Sequence, residues 1–311
     1  MPRIHYDFLA PPKIVFGWGR RSEVGSLARR LGRRAFVVTG SRRLAADGVI
    51  DELLVAVRAA GVEPIRLADI HREPEIDDVD RAAATLMEMK AGDGDFVLAI
   101  GGGSAIDLAK AAAAMATNAD GASVRDFLEG VGRGLKIERP PLPVLAMPTT
   151  GGTGSEATKN AVISSRDPPF KKSLRSEQMI PRVVLVDPEL SVTVPPNVTA
   201  QTGMDAITQL IESTISRRAQ PIPRALAVQG LQLALPAIVE AVENGRSRPA
   251  REAMAHAALL SGIALANSGL GVAHGVAAAL GVVCNVPHGL ACAVMLPIAL
   301  RVNRDVAVAE L

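Results

Sequence analysis

Asp205 in Gly203-Met204-Asp205-Ala206, His274 in Gly271-Val272-Ala273-His274-Gly275 and His288 in Pro287-His288-Gly289 are residue types that hold divalent cations. One carboxylate and two imidazoles supply three protein donors and leave a position for water or a substrate oxygen. The chain has five histidines, and two of them lie fourteen residues apart among small and apolar side chains. A lone histidine in such a setting is more often a satisfied core or capping residue than a ligand. A metal reading therefore needs support from the rest of the chain.

Two polar loops offer binding chemistry of another kind. Phe96-Val97-Leu98-Ala99-Ile100 runs straight into Gly101-Gly102-Gly103-Ser104, and a helical pattern follows from Ala105 to Met115. Glycines after a strand let the backbone approach a ligand closely, and the next helix offers free N–H groups and its positive dipole end to phosphate. The loop is neither G-x-G-x-x-G nor a Walker loop, so its position between strand and helix carries the reading. The second loop is Thr149-Thr150-Gly151-Gly152-Thr153-Gly154-Ser155-Glu156, which follows the short strand Pro143–Pro148 and opens an expected helix at Ser155. Dense hydroxyl and glycine clusters beside a strand commonly bind something.

Around these loops the pattern is strand, helix, strand. Lys13–Gly17 is a short strand. A helix begins at Ser22, with Leu27 and Leu31 on one face and Gly32 as its stop. Ala35–Gly40 is a continuous apolar run typical of a buried parallel strand. A helix around Ile50–Ala60, the segment Pro64–Leu67, a helix from Ile76 to Lys90 and the strand Val183–Val186 complete an α/β pattern. From Pro195 strand signals vanish, and Ala/Leu-rich helical periodicity fills Ala200–Ile215, Arg224–Val242 and Arg251–Ser268. The expected organisation is an α/β domain over residues 1–190 followed by an all-α domain over 191–311. Asp205 falls early in the first of those helices, with Gln209 one turn further on the same face.

Composition removes several function classes. The net charge is +2 and Lys and Arg are scattered, so no nucleic-acid footprint is present. The two cysteines, Cys284 and Cys292, cannot build a disulfide framework and read as buried small side chains in a reducing compartment. No signal-peptide layout opens the chain, and the nearest approach to a membrane span, Leu259–Val283, is broken by Gly, Ser, Asn and His. The expectation is a soluble cytoplasmic protein without membrane or nucleic-acid partners.

Gly101–Ser104 with Asp107, then Pro148–Glu156, Gly203–Ala206, Gly271-x-x-His274-Gly275 and Pro287-His288-Gly289, taken in that order, resemble the iron-containing (group III) alcohol dehydrogenases. The likeness spans essentially the whole chain. It implies a Rossmann-like dinucleotide-binding domain followed by a helical metal-binding domain, the dehydroquinate-synthase-like fold, and a homodimer formed through an N-terminal strand. It implies Asp205, His274 and His288 as ligands of a divalent metal, iron foremost with zinc as the alternative. It further implies Gly102, Gly103 and Ser104 at the pyrophosphate of NAD or NADP, with Thr149, Thr150, Asn160, Lys171 and Leu190 lining the cofactor. The implied activity is hydride transfer between NAD(P)(H) and a small alcohol or aldehyde. No side chain declares itself as the base, so the proton must leave through metal-bound water or a ribose-hydroxyl relay.

Several positions depart from the family pattern. Gln209 stands where a histidine is usual; its amide oxygen is a weaker ligand than imidazole, or it only hydrogen-bonds nearby. Ala278 stands where many members place a second histidine assigned to proton relay. Family chains run on past the Leu-Pro matched by Leu296-Pro297, whereas this one stops at Leu311. The helical domain is therefore expected to lack the usual C-terminal helices and to expose apolar surface. At the strand tip Thr39-Gly40-Ser41-Arg42-Arg43, Gly40 is assigned to the cofactor. No carboxylate stands there to repel a 2′-phosphate, and two arginines could pair with one, so NADP is expected to be tolerated. The competing readings are a maleylacetate-reductase-like enzyme, a polyol or polyol-phosphate dehydrogenase of the same fold, and an inactive nucleotide-binding remnant. The first lacks this ligand set, and the second needs basic residues that the helical half largely lacks.

Overall fold

The computed structural model describes residues 5–307, which divide into two compact units. One comprises residues 11–150 and 158–193. The other comprises Val194 onward, together with residues 151–157 and the segment ending at Ala10.

The first unit is built on a six-stranded parallel sheet. Its elements in chain order are β1 (Ile14–Phe16), α1 (Val24–Leu31), β2 (Arg34–Thr39), α2 (Arg42–Ala46), α3 (Val49–Ala59), β3 (Glu63–Asp69), α4 (Ile76–Glu88), β4 (Asp95–Gly101), α5 (Gly103–Asn118), β5 (Val144–Pro148), β6 (Asn160–Arg166), β7 (Pro169–Arg175) and β8 (Val183–Val186). The strand order is β1-β8-β5-β4-β2-β3, with every pair parallel. Period-two alternation divides the strands between two cores. Phe36, Val38, Val97, Ala99, Val144 and Ala146 face the side packed by α4 and α5. Ala35, Val37, Phe96, Leu98, Ile100 and Leu145 face the side packed by α1 and α3. Both faces are covered, which is why β2 and β4 read as unbroken apolar runs.

The chain leaves β2 outward to β3 and returns on the other side of β2 as β4, so the order reverses between β2 and β4. Ligands of open α/β sheets bind beyond the carboxyl ends of the strands at such a switch point. Thr39-Gly40 and Gly101-Gly102 are those ends here.

The second unit is helical: α6 (Pro196–Ile215), α7 (Pro221–Glu243), α8 (Arg248–Ser268), α9 (Val272–Cys284) and α10 (His288–Asn303). Ile207, Leu210, Ala227, Ala234, Met254, Ala257 and Leu296 form its main core. The small side chains of α7 and α8 allow close helix approach. Arg251 is buried without a carboxylate partner among the described residues. It donates to Gly245 O at 2.8 Å and Thr199 Oγ1 at 3.0 Å, fastening α8 to the start of α6.

The structure corrects several expectations. Ser155 opens only a 3-10 turn, Ser155–Ala157, because glycine-rich sequence precedes it and β6 begins at Asn160. The antiparallel hairpin β6–β7 has no counterpart in the sequence reading. The stretch Leu259–Val283 is two helices, with α8 and α9 meeting at a bend of 102°. Among the described residues, α7 is the single helix long and apolar enough to cross a membrane by length and composition alone. Its Ala227, Ala234 and Ala241 nevertheless pack in the core. Val228, Leu235 and Val239 on α7, and Val294, Ile298 and Val302 on α10, are exposed apolar rows. Residues 5–13 precede β1 without forming a strand, and residues 1–4 of the N-terminal segment expected to join two copies lie outside the described residues.

Candidate metal centre and phosphate cradle

Three helices of the second unit supply the cluster that the sequence singled out. Asp205 sits in the middle of α6, His274 in the first turn of α9, and His288 at the start of α10. Asp205 and His274 are buried and His288 is partly so. His274 Nε2 lies 3.1 Å and His288 Nε2 3.8 Å from the same Asp205 oxygen, Oδ1. The imidazole centroids are 5.6 Å apart. Donor atoms of Asp205, His274, His288 and Cys292 all fall within 4.8 Å of one another. Convergence of a buried carboxylate, two imidazole nitrogens and a thiol around one point is the donor chemistry of a divalent ion.

Two contributors were not legible as site residues. Cys292, one turn after His288 on α10, is completely buried, with Sγ 3.7 Å from His288 Nε2. Glu212 lies seven residues after Asp205 on α6, and its Oε2 is 2.6 Å from His274 Nδ1. The same carboxylate accepts the Ala273 N–H at 2.7 Å, so it also caps α9. The i, i+7 spacing of Asp205 and Glu212 on one helix face was the available signal. A carboxylate holding Nδ1–H fixes the tautomer in which Nε2 keeps its lone pair for a ligand. Gly271 is needed for this arrangement, because a Cβ there would stand 2.7 Å from Glu212 Oε1.

Gln209 lies beside Asp205 with its amide nitrogen 3.2 Å from Asp205 Oδ1 and 3.3 Å from Thr153 O. Its oxygen accepts from Ser261 at 2.7 Å. As placed, Gln209 turns a donor toward the cluster.

The electrostatics follow from burial and pairing. Burial alone would raise the Asp205 carboxyl, but the His274 hydrogen bond and the charges of both histidines hold it below its ordinary value. Burial would likewise depress His274, but its bonds to Asp205, Cys292 and Glu212 hold it well above the ordinary imidazole range. Glu212 is lowered, with the His274 bond outweighing desolvation. Burial pushes the Cys292 thiol up.

The Glu212 contact makes a direct expectation. Glu212→Gln keeps the volume but presents an N–H₂ where both oxygens now accept. Affinity for a divalent ion should fall about 10–100-fold, measured by chelator competition, with the far-ultraviolet spectrum unchanged. Unaltered affinity would mean that Glu212 serves only as a helix cap.

The first unit holds the candidate phosphate cradle. Gly102 is the N-cap of α5 and has no side-chain cap, so the first N–H groups of a sixteen-residue helix are directed at the switch point. Ser104 lies in that first turn, and Thr149 N donates to Gly101 O at 3.0 Å. A Cβ at Gly102 would come within 3.4 Å of Thr150 Oγ1, which places that hydroxyl at the cradle. Asn160 begins β6, and its carbonyl is held by buried Lys110. Lys171 on β7 is paired with Glu73, and Leu190 is buried in the core beside α1 and α3. The unpaired helix end and the glycine backbone fit the pyrophosphate of a dinucleotide.

Similarity to known proteins extends along nearly the whole chain. Residues 11–188 match the profile described as iron-containing alcohol dehydrogenase, and residues 199–311 match the C-terminal profile of the Fe-containing alcohol dehydrogenase family. The chain is 34% identical over 291 residues to the NAD-dependent methanol dehydrogenase of Bacillus methanolicus, covering 94% of this chain and 74% of that one. It is 36% identical over 304 residues to the sulfoacetaldehyde reductase of Bilophila wadsworthia, covering 97% of this chain and 75% of that one. The crystal structure of sulfoacetaldehyde reductase from Bifidobacterium kashiwanohense in complex with NAD+ superposes with a TM-score of 0.86 at 32% identity. That match covers 97% of this chain and 77% of that one.

Proposed function

The chain belongs to the iron-containing alcohol dehydrogenase family, and on that premise we propose that it interconverts small aldehydes and alcohols with a nicotinamide cofactor and a divalent metal. The observation that supports the metal is the convergence of Asp205, His274, His288 and Cys292 donor atoms within 4.8 Å in a buried setting. The metal, when bound, supplies Lewis acidity toward the substrate oxygen; the cofactor supplies the hydride.

The protein's own residues do the rest. Asp205, His274 and His288 hold the ion. Glu212 orients His274, and Gln209 donates to Asp205 and fixes its rotamer. The N-terminus of α5, with Gly102, Gly103 and Ser104, receives the pyrophosphate, and Thr149 and Thr150 close that side. Gly40 lets the tip of β2 pack closely on the turn into α5, where a Cβ would lie 2.8 Å from Ala105 Cβ. No imidazole stands at Ala278, so proton release is assigned to water or ribose hydroxyls.

The test is oxidation of NADH by short aldehydes, before and after chelation and on re-addition of zinc or iron(II). Turnover that survives exhaustive chelation would overturn the metal; nucleotide binding without turnover under any metal would favour a non-catalytic remnant.

The proposal extends to NADP(H). Arg43 is held by Asp47, but Arg42 makes no ion pair among the described residues. Asp69, opposite Thr39 in the β2–β3 ladder, is already bonded to Thr39 Oγ1 at 2.9 Å and His71 Nε2 at 3.0 Å. A 2′-phosphate at the tip of β2 would meet Arg42, with no acid at positions 40–43 and with Asp69 already engaged. NADPH should therefore bind within about tenfold of NADH, a difference of roughly 1.4 kcal/mol, by nucleotide fluorescence titration. NADPH affinity a hundredfold weaker would exclude the idea.

A further inference from the structure

We infer that Cys292 is the fourth protein ligand of this metal centre, giving an Asp–His–His–Cys set that selects zinc over iron. The inference rests on the metal reading of Asp205, His274 and His288 and deepens it. His288 and Cys292 are one turn apart on α10, so their side chains share a face. Cys292 Sγ is 3.7 Å from His288 Nε2 and within 4.8 Å of the donor atoms of Asp205 and His274.

Geometry agrees with a bound ion. Bonds of about 2.0–2.1 Å to nitrogen and oxygen and about 2.3 Å to sulfur give a tetrahedron edges of roughly 3.3–3.6 Å. The edges here are 3.1 Å for His274 to Asp205, 3.8 Å for His288 to Asp205 and 3.7 Å for Cys292 to His288. The alternative donor, Gln209, has its oxygen turned to Ser261. A cysteine serving only as a small hydrophobe would be expected to face alanines. Cys292 does touch the small cluster with Ala277 and Ala291, yet its sulfur is at the ligand cluster.

A thiolate changes metal preference. Soft sulfur favours zinc and cobalt(II), and iron(II) already stands below both in intrinsic affinity. The set keeps four protein donors despite Gln209 at the position one turn after Asp205, and a substrate oxygen would join as a fifth, the expansion that catalytic zinc permits.

Cobalt(II) substitution reads the sulfur directly. Chelated full-length protein is titrated with cobalt(II), and a near-ultraviolet thiolate-to-cobalt charge-transfer band is expected alongside visible ligand-field bands. The exposed Cys284 supplies the control: Cys284→Ser should keep the charge-transfer band. Cys292→Ser and Cys292→Ala should lose it, and zinc affinity should fall at least about 100-fold while iron(II) affinity falls less. Far-ultraviolet spectra and nucleotide binding establish that the variants are folded, and the wild-type and Cys284→Ser spectra decide the matter even if they are not. Bound cobalt with ligand-field bands but no charge-transfer band would overturn Cys292 while leaving the Asp–His–His site. Failure to bind cobalt at all would overturn both.

Discussion

Asp205→Ala should lower kcat/KM for aldehyde reduction by at least about a thousandfold, the equivalent of roughly 4 kcal/mol of lost Lewis-acid stabilisation. Asp205 is the hub of the cluster. Its Oδ1 faces both histidines, at 3.1 Å and 3.8 Å, and receives Gln209 at 3.2 Å. Without it the ion loses its anionic oxygen donor, and in the metal-free protein the buried His274 Nε2 loses its hydrogen-bond partner. That second loss lowers stability by about 1–3 kcal/mol, so Asp205→Asn, which keeps the volume, belongs beside it. His274→Ala should give the same kinetic loss. Metal content by elemental analysis should fall with turnover in all three. Nucleotide affinity should not change, because the phosphate cradle is built from residues of the other compact unit. A variant that keeps both its metal and its wild-type kcat/KM would remove Asp205 from the site.

What the sequence made legible follows from how locally each feature is encoded. β4, the glycine turn and α5 could be read because a strand buried on both faces is an unbroken apolar run and a helix start after glycine is local. The hairpin could not. β6 and β7 alternate buried and exposed positions with polar side chains outward, and Asp167-Pro168 between them reads as a loop. Asp205, His274 and His288 stood out by residue type. Their supporting residues did not, because each looks ordinary in one dimension. Glu212 is a carboxylate in a long helix, which usually means a solvated face; only α9 folding back brings Ala273 N–H and His274 Nδ1 to it. Cys292 reads as a small core residue until α10 places it one turn from a ligand.

Gly101→Ala is the complementary test, directed at the nucleotide and not the metal. A Cβ at this position would lie 2.6 Å from Ala105 Cβ and 3.1 Å from the Gly40 backbone. Neither neighbour is the free end of a flexible side chain. Either α5 must move away from the tips of β2 and β4, or the tips must part, at about 1–3 kcal/mol of overpacking. Any such shift misaligns the α5 N–H groups that are to meet the pyrophosphate. Charge-assisted hydrogen bonds of this kind contribute about 1.5–3 kcal/mol each, so losing one should weaken NADH about 10–100-fold. Ala105→Gly in the same chain removes the shortest contact and should restore part of that affinity, a coupling expected for side chains that touch. The metal centre shares no residue with this turn, so cobalt(II) spectra of Gly101→Ala should match wild type. Wild-type NADH affinity in Gly101→Ala would mean that the turn between β4 and α5 is a structural corner, with the cofactor held elsewhere. A loss of both nucleotide and metal binding would instead report general unfolding, which the Ala105→Gly double variant distinguishes by recovering the two together.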